Sequence, residues 1–154
     1  MINWYKKVVF ENYANFNGRA RRSEYWYFVL MNLIIGIIAM VIDKLLGLNF
    51  GINTIYNLVV FLPGLAVAVR RLHDIGKSGW LLLLFYVVMI ASTIVMIFSG
   101  ILGIVGGASL SSFGIGLIVP LLGILAFSIW LLVLFCTEGN HGENKYGADP
   151  KAIE

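Results

Sequence analysis

The chain has 154 residues, of which 60% are hydrophobic and only 12% are charged, with a mean hydropathy of +0.89. Soluble domains are nearer to half apolar and a quarter charged, and a water-soluble fold of this size would expose apolar patches that drive association. These values exclude an ordinary soluble domain and favour a protein that folds in lipid. The single cysteine, Cys136, excludes an intrachain disulfide.

Three long runs contain no charged residue: 25–42, 45–69 and 78–137. A helix needs about 20 apolar residues to cross a hydrocarbon core of ~30 Å, and one charge at mid-membrane costs about 2.5 to 3.5 kcal/mol. The third run has room for two spans and a connection. The sequence therefore predicts an all-α, polytopic membrane protein with four transmembrane helices in one membrane domain, 1–154. The predicted spans are about 25–42, 52–69, 80–98 and 115–136.

Residues 2–16 precede the first span and have the pattern of an amphipathic helix. Tyr5, Val9 and Tyr13 recur at a spacing of four, and the neighbouring lysines lie off that stripe. Aromatic residues beside lysines suit the headgroup boundary, so we expect an interfacial helix lying in the membrane plane. A disordered tail with chance periodicity is the alternative.

The first span begins behind a basic turn. Ser23 is placed to cap this helix, and Glu24 falls in its first turn, where it faces the positive end of the helix dipole. Tyr25, Trp26 and Tyr27 then form an aromatic belt at the entry to lipid.

The later spans carry two prolines and a flexible-looking connection. Pro63 stands near the middle of the second span, where it cannot donate to the carbonyl of Val59 and should kink the helix. Residues 99–116, rich in glycine and serine, are typical of a loose connection or a partly re-entrant segment. Pro120 falls near the beginning of the fourth span, where proline is tolerated. A polar tail, 137–154, follows.

Basic residues are distributed unequally between the two sides of the predicted bundle. Only Lys44 lies on one side, and the positive-inside rule places the other side, with both termini and the tail, in the cytoplasm. The residues on that side are Lys6, Lys7, Arg19, Arg21, Arg22, Arg70, Arg71, Lys77, Lys145 and Lys151.

Three polar segments, 18–24, 70–79 and 138–150, are predicted to meet on the cytoplasmic face. They contain Gly18-Arg19-Ala20-Arg21-Arg22-Ser23-Glu24-Tyr25-Trp26 and Arg70-Arg71-Leu72-His73-Asp74-Ile75-Gly76-Lys77-Ser78-Gly79-Trp80, with Gly139, Gly142, Asn144, Tyr146-Gly147 and Asp149-Pro150 in the tail. In these motifs the chain resembles the domain-of-unknown-function 805 family of small bacterial inner-membrane proteins. The resemblance implies a multi-span helical protein of the bacterial inner membrane without an established catalytic activity, and it supplies no catalytic residues. The tail departs from the family's usual glycine-proline spacing at Asn140-His141-Gly142-Glu143.

The candidate binding or structural residues all lie in these three segments. The arginines can grip lipid phosphates or pair with acidic residues to lock the segments together, since guanidinium forks suit either partner. Topology and snorkelling alone are the simpler interpretation. The candidates are Arg19, Arg21, Arg22, Glu24, Arg70, Arg71, His73, Asp74, Lys77, Asn144 and Asp149.

His73 and Asp74 are the strongest candidates for chemistry. The pair could relay protons or bind a cation with Glu24 or Asp149, because a carboxylate fixes a neighbouring imidazole. Adjacent helical residues face different ways, however, which favours a helix terminus with His73 at the interface. The tail's polar residues match no zinc or calcium spacing, so we expect a solvated tail, with no metal and no cofactor. The tail residues concerned are Glu138, Asn140, His141, Glu143 and Asn144.

Three functional hypotheses follow. The first is a non-enzymatic protein whose cytoplasmic segments bind anionic lipid headgroups or a protein partner; the modest net charge of +3 beside the spans favours lipid over nucleic acid. The second is a channel or transporter formed by a homo-oligomer, although a proton-driven monomer would need ionisable groups in its spans. The third is an enzyme acting on a lipid or interfacial substrate, with His73, Asp74 and Glu24 as acid–base groups. Under the second hypothesis Pro63-Gly64, Asn57, Ser92 and Thr93 line the path.

Overall fold

The computed structural model describes residues 1–48, 51–105 and 110–152, and it is built from helices. Helix α1 (Ile2–Lys6) continues as a π-helical turn (Lys7–Glu11), and four long helices follow: α2 (Arg22–Leu46), α3 (Ile52–Asp74), α4 (Trp80–Val105) and α5 (Leu110–Cys136). The chain divides into two compact units. The first comprises Met1–Gly79 and Thr137–Glu154, and the second comprises Trp80–Cys136.

The predicted fold class is confirmed. Four helical stretches are long and apolar enough to cross a membrane: Arg22–Leu46, Ile52–Asp74, Trp80–Val105 and Gly114–Cys136. The first two are longer than the predicted spans because each continues past its uncharged run, and the third is longer because α4 continues through residues 99–105. A short N-terminal helix precedes them, as expected.

The start of α2 differs from the prediction in its cap. Arg21, in an extended conformation, is the residue before the helix, and its side chain makes no capping hydrogen bond. Ser23 lies within the helix, so its predicted capping role is wrong. Glu24 does fall in the first turn. The predicted cap was wrong because the helix begins one residue before Ser23, at Arg22.

A carboxylate on α2 fixes the turn into α3. Asp43 accepts hydrogen bonds from the backbone N–H groups of Ile52, at 2.7 Å, and Asn53, at 2.9 Å. These two N–H groups belong to the first turn of α3, which has no intrahelical partners for them. Asp43 therefore acts as a helix cap from a distance. Gly51 makes room for it, because a Cβ there would overlap the Asp43 carboxylate.

Helix α3 runs without a break through Pro63, and a side chain from the N-terminal region compensates for the missing N–H. Proline cannot donate to the carbonyl four residues earlier, which is that of Val59. The Tyr13 hydroxyl donates to this carbonyl at 2.7 Å. Tyr13 thus replaces the hydrogen bond that Pro63 removes.

The N-terminal segment packs on α2 and α3. Its helical part ends at Glu11, short of the predicted end at residue 16. Val8 is fully buried in a core cluster with Ala20, Phe28 and Val67, and the Tyr5 ring stacks on Phe28 at 5.8 Å. The apolar side of the segment therefore contacts protein, while its predicted place in the membrane interface stays a prediction.

The second unit is a hairpin of α4 and α5. Phe85 stacks on Phe127 with ring centroids 5.5 Å apart, and a Cβ on Gly116 would overlap the Ser99 side chain. Small residues let membrane helices approach closely, so Gly116 and Ser99 serve helix packing. The predicted loose connection is wrong for 99–105 and 110–116, which are helical; residues 106–109 lie outside the described part. Pro120 accordingly lies well inside α5 instead of near its beginning.

Candidate functional site

Three segments of the first unit meet at the polar ends of α2 and α3, and we call residues 17–24, 70–79 and 137–152 the polar cap. Backbone hydrogen bonds join them directly. The Ala20 N–H donates to the carbonyl of Arg70 at 3.0 Å, and the Asn140 N–H donates to the carbonyl of Asp74 at 2.9 Å. The tail is therefore bound to the end of α3. The sequence had suggested a solvated tail, and this prediction is wrong for the part of the tail at Asn140.

Asp74 is the centre of the first charged network. Its Oδ1 accepts a hydrogen bond from Arg19 Nε at 3.0 Å, and its Oδ2 accepts one from Arg71 Nη1. Only 5% of the Asp74 side chain is exposed, and the two guanidinium groups are at least as deeply buried. Arg71 also donates to the carbonyl of Thr137, where the tail begins. Charges persist at such burial only when paired and hydrogen-bonded.

Arg19 holds the tail through its remaining donors. Its Nη1 donates to the carbonyls of Gly142, at 2.5 Å, and Gly147, at 3.3 Å, and its Nη2 donates to the carbonyl of Asn140. The planar guanidinium matches this arc of carbonyl groups because its donors are fixed in one fork. Gly142 has a φ of +75°, a left-handed conformation that favours glycine.

Gly139 adds a steric requirement to the same contact. A Cβ at this position would overlap the Asp74 carboxylate, so the tail can approach Asp74 only with glycine there. The tail glycines are thus explained by close approach at Gly139 and by backbone conformation at Gly142.

Glu24 is the centre of the second charged network. Its Oε1 accepts a hydrogen bond from Arg70 Nη1 at 2.6 Å, and Lys7 Nζ lies 3.3 Å from its Oε2. The Glu24 side chain is 1% exposed. Among the residues that the structure describes, Arg70 Nε and Nη2 have no hydrogen-bond partner although both are buried. Sequence reasoning missed Lys7, because it had been assigned to the N-terminal helix and not to the site.

His73 and Asp74 point to different partners. The His73 ring stacks on Tyr146, with centroids 3.8 Å apart and planes within 5°, and its Nδ1 lies 3.2 Å from the carbonyl of Gly18. Asn144 donates to the His73 backbone carbonyl at 3.0 Å. Asp74 accepts hydrogen bonds from two arginines and not from His73. The contacts found therefore hold the segments together and do not form an acid–base pair. Tyr146 was not among the candidates, since nothing in the sequence pairs it with His73.

The other predicted ligand combinations do not assemble in the described part of the chain. Glu24 belongs to a separate network from Asp74, and Asp149 accepts backbone hydrogen bonds from Lys151, at 2.9 Å, and Gly142, at 3.0 Å. These bonds lower the pKa of Asp149, that from Lys151 contributing most. No group of three or more His, Cys, Asp or Glu side chains is arranged to hold a metal ion within the residues described.

The remaining candidates lie towards the surface of the cap. The guanidinium of Arg21 covers the Trp4 ring at 4.6 Å, and Lys7 Nζ lies 5.1 Å from the same ring. Such cation–π contacts are worth about 0.5 to 1 kcal/mol at exposed sites. Arg22 Nη2 lies 3.2 Å from Glu138 Oε1, and Lys77 is exposed.

An open groove of about 320 Å³ lies at the start of α2, lined by Arg22, Ser23, Trp26 and Tyr27. It combines a cation and a hydroxyl at one end with two aromatic rings at the other. Because α2 carries no charge from Tyr25 to Ile42, the groove crosses the boundary between the polar cap and the apolar span.

Comparison with known proteins agrees with this architecture. The chain is 41% identical to "Inner membrane protein YhaI" of Escherichia coli (strain K12) over 151 residues, which cover 97% of each chain. It is 35% identical to "Inner membrane protein YhaH" of the same organism over 157 residues, covering 97% of this chain and 98% of the relative. "Uncharacterized protein YiiR" of that organism is 31% identical over 144 residues, covering 91% and 88%. No solved structure matches.

The family described as "Protein of unknown function (DUF805)" matches residues 13–148, which include α2 to α5 and nearly all of the polar cap. Together with the four apolar helices and the relatives named as inner membrane proteins, this match confirms the resemblance read from the sequence. The chain is an integral inner-membrane protein and belongs to the DUF805 family.

Proposed function

We propose that the protein is a non-enzymatic membrane protein whose polar cap faces the cytoplasm and binds anionic phospholipid headgroups. The observation that carries the proposal is the charge of the two networks. Among the residues that the structure describes, each network contains two cations for one carboxylate: Arg19 and Arg71 around Asp74, and Arg70 with Lys7, whose side chain is 42% exposed, around Glu24. The two networks therefore carry a net positive charge, which an external anion would complement.

The cap's surface has the same sign. Four basic residues of the cap, Arg22, Lys77, Lys145 and Lys151, are exposed, against two exposed carboxylates, Glu138 and Glu143. Each basic residue near an anionic bilayer surface is worth about 1 kcal/mol. The positive-inside rule puts this basic end in the cytoplasm. Hydrogen bonds between Arg19 and the tail support both termini lying on that side.

The buried networks also make the cap rigid. Arg19 joins the segment before α2 to the end of α3 and to the tail, so the surface cations are presented on a fixed framework. A preorganised surface loses less conformational entropy on binding than a flexible one. The His73 ring stacks on Tyr146, and the Asp74 carboxylate accepts hydrogen bonds from two arginines. These contacts favour binding over acid–base catalysis as the role of the cap.

The hypothesis of an oligomeric channel gains no comparable support. Asn57 donates to Asn53 on its own helix at 3.0 Å, and Thr93 donates to the Met89 carbonyl at 2.8 Å. These polar side chains are satisfied within their own helices. The channel stays a prediction, and a liposome flux assay tests it.

Lipid retention tests the proposal. The full chain is purified in mild detergent from membranes containing phosphatidylethanolamine, phosphatidylglycerol and cardiolipin, and the lipids that remain bound are identified by native mass spectrometry. We expect the two anionic lipids to be enriched relative to the bulk membrane, with less enrichment at high salt because the surface cations are screened. Bound lipid of bulk composition would refute the proposal. Co-purification of a stoichiometric protein without lipid enrichment would point to a protein partner instead.

A further inference from the structure

We infer that the groove at the start of α2 is a specific site for one anionic phospholipid, whose phosphate binds Arg22 and Ser23 while its glycerol and upper acyl chains lie on Trp26 and Tyr27. This inference rests on the proposed function and names the place where one lipid is held.

The four lining residues form one face of the helix. They stand at positions i, i+1, i+4 and i+5 of α2, and side chains three or four residues apart are neighbours on a helix surface. The volume of about 320 Å³ falls at the lower end of the ~300 to 1,000 Å³ range of small-molecule sites. A headgroup therefore has room in the groove, whereas a folded partner does not.

The order of chemistry along the groove matches the order of chemistry along a phospholipid. Arg22 offers a guanidinium fork, which suits phosphate oxygens, and Ser23 adds a hydroxyl donor. One turn further into the helix, Trp26 and Tyr27 present amphipathic rings of the kind that lie at the level of the glycerol region. Charge, hydroxyl and aromatic surface thus follow one another from the cap towards the span.

A carboxylate already occupies the anion position beside Arg22. Glu138 Oε1 lies 3.2 Å from Arg22 Nη2 and 3.1 Å from Lys151 Nζ. The side chains of Arg22 and Glu138 are 43% and 55% exposed, and exposed pairs of this kind contribute little stability. Glu138 keeps Lys151 as a partner when a phosphate takes its place. Replacing Glu138 by a phosphate beside Arg22 therefore costs little free energy. Glu138 competes with the phosphate for this site.

Three variants separate this site from general attraction to the cap. The assay measures phosphatidylglycerol retained by the purified full chain after exposure to mixed phosphatidylglycerol–phosphatidylcholine micelles. Arg22→Gln should lower retention about tenfold, the worth of one charge-assisted hydrogen bond. Lys77→Gln, which removes an equal charge elsewhere on the cap, should lower retention by no more than about fivefold, the equivalent of the ~1 kcal/mol that a single basic residue contributes near an anionic surface. Glu138→Gln should increase retention, a gain that a misfolded protein would not show.

The outcomes distinguish this inference from the proposed function. No phosphatidylglycerol enrichment in the unsubstituted protein would refute both. Enrichment that is unaffected by Arg22→Gln and Glu138→Gln, with unchanged melting temperatures, would overturn the groove and leave the proposed function standing. If inorganic phosphate at the same concentration displaced the lipid from the unsubstituted protein, the site would be one for a free anion.

Discussion

Replacing Asp74 by asparagine tests the account of the polar cap most directly. The substitution keeps the size of the side chain and one carbonyl oxygen, but it removes the negative charge that pairs with both Arg19 and Arg71. Because all three side chains are at most 5% exposed, solvent screens the resulting repulsion very little. Removing one member of a buried pair costs about 3 to 5 kcal/mol. Asp74 also lies at the negative end of α3, so losing its charge there returns about 0.5 kcal/mol.

The expected result is a loss of about 2.5 to 4.5 kcal/mol in the free energy of unfolding. It is measured by titrating the detergent-solubilised protein with dodecyl sulfate and following helix content. The tail should also become sensitive to trypsin at Lys145 and Lys151, since Asp74 no longer anchors Arg19. Glu143→Gln, an exposed acidic position on the tail, is the matched control. A loss below about 1 kcal/mol, as for a surface pair, would refute the view that Asp74 holds the cap together.

Three further predictions concern other contacts of the first unit. Tyr13→Phe should destabilise the protein by about 1 kcal/mol, and in a Pro63→Ala background this cost should vanish, because the helix then supplies its own donor to Val59; equal costs in both backgrounds would contradict the compensation. Asp43→Ala should cost about 0.5 to 2 kcal/mol, as for other helix caps, and an unchanged unfolding midpoint in dodecyl sulfate would show that the cap contributes nothing. Backbone hydrogen bonds lower the pKa of Asp149 below its ordinary value of 3.8, so its contribution to stability is complete above that value and disappears as the pH falls through the lowered pKa; carboxyl NMR showing an ordinary or raised pKa would be inconsistent with these bonds.

Much of the fold followed from the sequence because lipid imposes simple rules. The charge-free runs predicted four spanning helices, since an ionisable group inside hydrocarbon is costly. The helix ends were harder to place. Glycine and serine residues around 99–116 suggested a loop by their usual behaviour in water, whereas 99–105 and 110–116 are helical. At Gly116 and Ser99 the small side chains allow α4 and α5 to pack closely.

The sequence predicted the candidate site only in part. The three segments of the polar cap could be grouped because all are polar and lie at the same ends of predicted spans. The sequence did not determine how they pair, since Glu24, Asp74 and Asp149 are all carboxylates available to Arg19, and only the three-dimensional arrangement selects Asp74. Lys7 contacts Glu24 and Tyr146 stacks on His73. These contacts join segments far apart in sequence, so no local sequence pattern predicts them.

The groove at α2 escaped sequence reasoning for another reason. Arg22, Trp26 and Tyr27 were each recognised, but as separate members of a basic cluster and an aromatic belt. Helical geometry places them on one face with Ser23, and the surface they form appears only after the exact start of the helix is known.

The hydrogen bonds between Arg19 and the tail have a consequence for the order of folding during synthesis. Arg19 and Arg71 are synthesised well before Asn140 and Thr137, whose carbonyl groups accept hydrogen bonds from them. While α4 and α5 are being synthesised, the first unit therefore holds arginine donors whose acceptors do not yet exist. A polypeptide that stops short of residue 137 lacks these carbonyl groups, so it leaves buried guanidinium donors unsatisfied.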